Sequence, residues 1–230
     1  MDPRNVVKLA YDSIGSEFGK KRTNTWDFVV DWLKKLKLKQ PANNLKLLIA
    51  GCGNGRHVRL ANDLGFDVFA IDLSPNMVSA TIQSEIENGR DGSNILVSDI
   101  CDLPYLDNEF DAIMSIAVLH HLPFDLCENA FYEFSRVLNT NGEILISCWD
   151  PSAPSVVKGE RDEEQKNVVW VSWTLPDSSS VSRYYHVPMI DVRIKHWKEI
   201  HGLICNHFEL RNSNQLFYFS KSKLPDELKH

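Results

Sequence analysis

Between positions 45 and 149 short apolar runs alternate with segments of two or more helical turns, and this alternation constrains the fold more than any other feature of the chain. Residues 45–50 (LKLLIA) form an apolar run stopped by glycines, which reads as a strand. Residues 56–64 fit a helix closed by Gly65. Residues 67–71 (DVFAI) are a second strand. Ser74 stands where an N-cap would, with Pro75 in the first turn of a helix running towards Gly89. Residues 95–98 and 110–117 give a third and a fourth strand, residues 125–138 a helix, residues 139–142 (NTNG) a turn and residues 143–149 a fifth strand. Strand–helix–strand units of this spacing require crossover connections. The expected fold is therefore α/β, a doubly wound and mostly parallel sheet with helices on both faces.

The flanking regions follow other patterns. In residues 1–40, Trp26, Val29, Val30, Leu33 and Leu36 fall at helical spacing, with Lys34, Lys35, Lys37 and Lys39 mostly off that face, and Pro41 ends the segment. Beyond Asp150 the regularity loosens. Residues 150–166 read as loop, 168–175 as a strand, 177–182 (DSSSVS) as a flexible connector, 191–202 as a helix, and 208–212 and 216–220 as closing strands. One domain is expected over 1–230, with a helical cap at 1–40, a core at 45–149, an elaboration at 150–189 and a closing helix and strands at 190–222.

Composition narrows the class. With 25 basic and 31 acidic residues the net charge is −6, so bulk charge does not advertise nucleic-acid binding. The five cysteines are far apart and contain no C-x-x-C, which argues against a disulfide framework or a structural zinc and for a reducing, cytoplasmic location. No apolar run approaches the ~20 residues of a membrane span, and residues 1–10 lack the pattern of a secretory signal.

Gly51-Cys52-Gly53-Asn54-Gly55 follows the first strand and opens a helix, at the end of the sheet where open α/β folds bind ligands. The third glycine of a dinucleotide fingerprint is absent, its place being taken by Arg56. Asp72 ends the second strand, 17 positions after Gly55, where an acid can accept both hydroxyls of a ribose. Asp99 ends the third strand.

This G-x-G-x-G loop resembles that of class I S-adenosylmethionine-dependent methyltransferases, and four further segments resemble the eukaryotic tRNA wobble-uridine carboxymethyl methyltransferases. These are SIAVLHH (115–121), CW (148–149), VWVSWTLP (169–176) and RYYH (183–186), together with Tyr11, Asp12, Phe18, Arg22 and Trp26 near the N-terminus. The resemblance implies a seven-stranded sheet and S-adenosylmethionine as cofactor. It implies cofactor contacts from Gly51, Cys52, Gly53, Asn54 and Gly55, from Asp72 and Leu73, from Asp99 and Ile100, and from Ala117. The product it implies is the methyl ester of 5-carboxymethyluridine at the tRNA wobble position.

A carboxylate acceptor has a pKa near ~4, so it arrives ionised and needs an anchor more than a base. Arg22 is the first candidate for that anchor, since a guanidinium fork suits a carboxylate. His120 and His121 are candidates for positioning the acceptor, and strand-like alternation would send one into the pocket and one into the packing. Trp149, Tyr184, Tyr185 and His186 are candidates for the wall on which the base stacks. Lys20, Lys21, Arg22, Lys34, Lys35, Lys37 and Lys39, extended by Arg56 and Arg59, form the one basic concentration that could meet the anticodon loop of tRNA. Relatives of this kind pair with a small zinc-binding activator subunit at the sheet edge, so a heterodimer is implied.

Three departures accompany the resemblance. Ile49 occupies a position that is usually acidic, the basic insert some relatives carry before RYYH is only residues 177–182 here, and no oxygenase segment is present, which implies methylation alone. A small-molecule methyltransferase and a non-catalytic cofactor-binding subunit remain the alternatives. A nicotinamide oxidoreductase stands third, disfavoured by Arg56.

Overall fold

A computed structural model describes residues 2–21, 24–39 and 44–221. In chain order, helices α1 (Pro3–Lys21) and α2 (Asp27–Lys39) precede β1 (Lys46–Ala50), α3 (Arg56–Asp63), β2 (Asp67–Asp72), α4 (Pro75–Glu87), β3 (Ile95–Val97) and β4 (Phe110–Ile116). A 3₁₀ turn at Leu119–His121 leads into α5 (Phe124–Val137) and β5 (Leu138–Trp149). Then follow α6 (Pro154–Val157), β6 (Glu160–Arg161), β7 (Val168–Thr174), β8 (Ser180–His186), α7 (Ile190–Trp197), β9 (Glu199–Ile200), β10 (Leu203–Arg211) and β11 (Asn214–Lys221).

The main sheet runs β3-β2-β1-β4-β5-β11-β10-β9. Its first five strands are parallel, and β11, β10 and β9 are added antiparallel. The strand order reverses between β1 and β4, and in open α/β sheets ligands bind outside the carboxyl ends of the strands at such a switch point. Central parallel strands are covered on both faces, which is why β1 and β4 are apolar almost without a break. Alternation along β1 divides the core. Leu48 and Ala50 join the layer of Phe131 and Trp197 from α5 and α7, whereas Leu47 and Ile49 join that of Val29, Leu33 and Val58 from α2 and α3. Ile49 therefore packs in the interior, and the apolar residue at this position serves the core.

The architecture matches the expected class, with five differences in detail. The sheet has eight strands, because the two-residue β9 lengthens its far edge. Residues 139–142, expected to turn, lie within β5, which begins at Leu138 opposite Phe110 and shifts register by Ala112. The helix expected over 191–202 stops at Trp197, and β9 pairs with β10. Residues 180–182, expected in a flexible connector, belong to β8, which pairs with β7 from Val168↔His186 to Thr174↔Ser180. With β6 these strands form a separate three-stranded sheet, so residues 150–166 contain α6 and β6 as well as loop. Pro41 lies outside the described residues.

α1 bends at Gly15 and packs against α4 and β8, so it roofs the carboxyl ends of the strands. Its polar contacts fix the docking: Ser74 Oγ donates to Asp12 Oδ1 at 2.5 Å, and Asn76 Nδ2 donates to the Asp12 carbonyl at 2.9 Å. Among the described residues no helix is long and apolar enough to cross a membrane.

Candidate active site

The glycine loop takes a shape that side chains would forbid. Gly51 and Gly55 have φ of +86° and +74°, and a Cβ would stand 2.3 Å from Val118 Cγ2 at the first and 2.7 Å from Thr81 Cγ2 at the second. Thr81 also donates from Oγ1 to the Gly53 carbonyl at 2.8 Å, so α4 supports the loop from below. Asp72, at the end of β2, accepts from Gly53 N–H (2.8 Å) on one carboxylate oxygen and from Ser74 N–H (3.0 Å) on the other. Each oxygen keeps a second lone pair for a ligand hydroxyl. Burial pushes the Asp72 carboxyl above its ordinary value, and the backbone N–H bonds act against that rise.

One cavity opens above this loop. Of the residues expected to contact a cofactor, Gly51, Cys52, Gly53, Asn54, Asp72, Leu73, Asp99, Ile100 and Ala117 line it; Gly55 lies beneath, as the N-cap of α3. Asp99 accepts from Cys101 N–H at 2.9 Å and from Arg4 Nη1 at 2.9 Å. Arg4, on α1, also grips Asp2, so the helical roof is tied to the far end of the cavity by an ion pair.

The opposite end is aromatic and cationic. Ala117 leaves β4 with φ of 61°, held by N–H bonds to the Ser147 carbonyl (2.9 Å) and Oγ (3.0 Å). That bend turns residues 119–121 into a 3₁₀ turn, so strand alternation does not govern the two histidines. Both His120 and His121 line the cavity, with ring centroids 4.5 Å apart, and the expectation of one inward and one packed histidine is corrected. Trp149 N–H donates to His120 Nδ1 at 3.1 Å, and the His120 ring stacks on Tyr185 at 4.7 Å. His121 Nδ1 donates to the Tyr184 carbonyl at 2.8 Å. Burial is the main cause of the low basicity of both rings, lowering His121 to about 3 and His120 well below the usual histidine range, so both are neutral at pH 7.

β8 sorts its side chains by the period of two. Arg183 and Tyr185 face the cavity, whereas Tyr184 and His186, expected in the stacking wall, face away. Tyr184 packs edge-on against Trp170, and His186 against Phe124. Trp149 and Tyr185 do line the cavity. Arg183 is buried between the rings of Trp173 (5.3 Å) and Tyr185 (5.4 Å), and no described carboxylate pairs with it. Burial works against its charge, and Tyr185 and Tyr11 outweigh that, raising its pKa above the ordinary arginine value.

Arg183, Tyr11 and Arg4 are cavity residues that sequence reasoning did not single out for the site. Arg183 was within reach of it, two positions before Tyr185 on one strand. Arg22, the anchor first expected, lies outside the described residues. The basic concentration is partly spent on the fold. Lys37 donates to the Gly65 carbonyl, Lys39 pairs with Glu143, and Arg59 donates to Asn54 and Ser84. Lys34 and Lys35 are exposed, and Arg56 lines the cavity mouth over Trp26. Among the described residues no cluster of three potential metal ligands occurs.

Comparison with known proteins bears on this geometry. A family described as "Methyltransferase domain" matches residues 48–146. A provisionally named methyltransferase of Encephalitozoon cuniculi is 31% identical over 79% of this chain and 79% of its own length. The tRNA (carboxymethyluridine(34)-5-O)-methyltransferase of Saccharomyces cerevisiae is 28% identical over 84% of this chain and 64% of its own, and the Arabidopsis thaliana protein of the same name is 32% identical over 64% and 33%. The chain thus spans about a third of the plant relative and somewhat under two thirds of the yeast one. Among solved structures, an S-adenosylmethionine-dependent methyltransferase of Clostridium acetobutylicum superimposes with a TM-score of 0.70 over 93% of this chain and 99% of that one, at 15% identity, which speaks for the fold alone.

Proposed function

Since this chain belongs to the class I S-adenosylmethionine-dependent methyltransferases, we propose that its acceptor is the carboxylate of 5-carboxymethyluridine at the tRNA wobble position and its product the methyl ester. The observation that carries the acceptor is Arg183, a buried guanidinium on the cavity wall with no described carboxylate as partner. Burying an unpaired cation is costly unless an anion is expected there, and a planar fork fits a carboxylate in two-point fashion. Arg22 stays in this reading as a second anchor.

The residues at the loop suit the cofactor. Gly51 and Gly53 leave the backbone bare, Asp72 has lone pairs for two ribose hydroxyls, and Asp99 with Ile100 would take the adenine edge. When bound, S-adenosylmethionine supplies a methyl group already activated on a sulfonium. The chain itself has to bring the acceptor to that methyl and hold it in line. Arg183 would hold one end of the acceptor while Trp149 offers its ring to the base, and Tyr185, already stacked on His120 and against the Arg183 guanidinium, backs both. His120 and His121, both neutral, would give shape and hydrogen bonds without charge.

tRNA is the macromolecular partner in this reading, meeting Arg56 at the cavity mouth and the exposed Lys34 and Lys35 on α2. A small zinc-binding activator is the protein partner, on the open edge of β3. That edge exposes Leu96 (39%) and Val97 (51%), apolar strand residues that a neighbouring strand would cover. Five free cysteines accord with a cytoplasmic setting.

The test is to incubate the chain, with and without the activator, with labelled cofactor and tRNA lacking the ester, and to analyse the nucleosides. Label in a base-labile ester of the wobble uridine is expected. Label confined to a small-molecule extract, or cofactor binding without transfer to either, would replace this reading with one of the two alternatives.

A further inference from the structure

Hydrogen-bond partners at the acceptor end fix which ring nitrogens carry protons. The Tyr184 carbonyl can only accept, so the proton of neutral His121 sits on Nδ1. Its Nε2 is then a lone pair, 3.0 Å from Tyr11 Oη, and the Tyr11 hydroxyl must be the donor. The Tyr11 oxygen is left to accept, and Arg183 stands within hydrogen-bonding reach of it. At His120 the Nδ1 lone pair already receives Trp149 N–H, so Nε2 carries the proton and can only donate. Neither histidine has a lone pair left for a substrate proton. Among the described residues the only acids lining the cavity, Asp72 and Asp99, hold the loop and Arg4 at its other end, and the third histidine of the cavity, His57, sits in the first turn of α3 beside that loop.

We propose that Tyr11 is a positioning residue that caps the last basic nitrogen of the histidine pair and turns its own oxygen to Arg183, so that the site accepts a methyl acceptor only if it arrives as an anion. This rests on the carboxylate reading above and deepens it into a rule of specificity. Methylating a carboxylate releases no proton, whereas methylating a hydroxyl or a carboxamide must shed one. An acceptor end whose described groups offer an anion anchor and no proton acceptor rejects those neutral groups by chemistry as well as by fit. The groups facing His121 are Tyr11 from α1, Arg183 and Tyr185 from β8, and His120 beside it; none is a carboxylate.

Long-range proton–nitrogen NMR of the full chain reads both tautomers directly. The expected result is His121 protonated at Nδ1 and His120 at Nε2, unchanged from pH 5.5 to 8.5. Tyr11→Phe should move the His121 Nε2 resonance towards that of an unbonded lone pair. In turnover it should raise KM for a carboxymethyluridine stem-loop at least tenfold, with the affinity for S-adenosylhomocysteine within threefold of the parent. The parent enzyme should leave the carbamoylmethyl analogue unmethylated. A His121 proton on Nε2, His120 or His121 titrating between pH 5.5 and 8.5, methylation of the carbamoylmethyl analogue, or a Tyr11→Phe variant with unchanged KM would each overturn the proposal. The carboxylate reading fails separately, if the parent enzyme transfers nothing to the stem-loop while the tautomers stand as described.

Discussion

Gly51, Asp72 and Arg183 each do a job that another residue type cannot. A methyl group at Gly51 collides with Val118 and has to be carried at φ +86°. Gly51→Ala should therefore cost about 1–3 kcal/mol of stability and abolish detectable S-adenosylhomocysteine binding in calorimetry; an unaltered melting curve would show that the loop tolerates the clash. Asp72 joins the loop to the ligand crevice through its two backbone bonds. Asp72→Ala should lose cofactor affinity at least tenfold, and unchanged affinity would remove the ribose assignment. For Arg183, replacing the fork by a point charge forfeits one charge-assisted hydrogen bond, about 1.5–3 kcal/mol. Arg183→Lys should accordingly lower kcat/KM by one to two orders of magnitude while cofactor affinity holds.

At the scale of elements, what was legible in the sequence and what was not follow from one distinction. The parallel strands β1, β2 and β4 and helices α3 and α4 could be read because their own periodicity and caps define them: Ser74 does accept Met77 N–H at the start of α4. The left-handed bend at Ala117, which brings both histidines to one cavity, left no periodic trace, since it depends on Ser147 of the neighbouring β5. Tyr184 and His186 belong to the same motif as Tyr185, yet only the pleat of β8 decides which of them faces inward. The role of α1 as a roof was equally invisible, because Arg4, Tyr11 and Asp12 meet partners 95, 110 and 62 positions away. The edge of β3 gives a prediction at this scale. Ser98 N–H is spent on the Asp72 carbonyl, so by alternation the N–H of Val97 faces outward. Val97→Pro removes that donor and should weaken capture of the activator at least tenfold while the parent fold still melts cooperatively; undiminished capture would move the partner elsewhere.

For the molecule as a whole, the buried histidines set the acid limit of stability. Burial lowers His57 and His121 to about 3 and His186 to about 4, with His120 well below the usual range. In the unfolded chain these groups bind protons near pH 6.5, in the folded chain only far below it, so the unfolded state gains protons first as pH falls. Their contribution is complete above pH ~6.5 and is lost as pH drops from there towards the folded values. Each removes about 1.4 kcal/mol between pH 7.5 and 5.5. Asp72, whose carboxyl is raised, works in the opposite direction. The melting temperature should fall steeply below pH 6.5, and His57→Phe should flatten that fall by one histidine's share; a flat profile would mean that these rings are hydrated.

In the proposed function a single cavity holds a sulfonium nucleoside at the glycine loop and an anionic acceptor at Arg183. A crystal structure with S-adenosylhomocysteine and 5-carboxymethyluridine bound tests it most directly. The ribose is expected on Asp72, the acceptor carboxylate on Arg183 with one oxygen directed at the sulfur, and His121 still bonded to Tyr11. A nucleoside bound away from the loop, or a carboxymethyl group turned from Arg183 towards solvent, would contradict it.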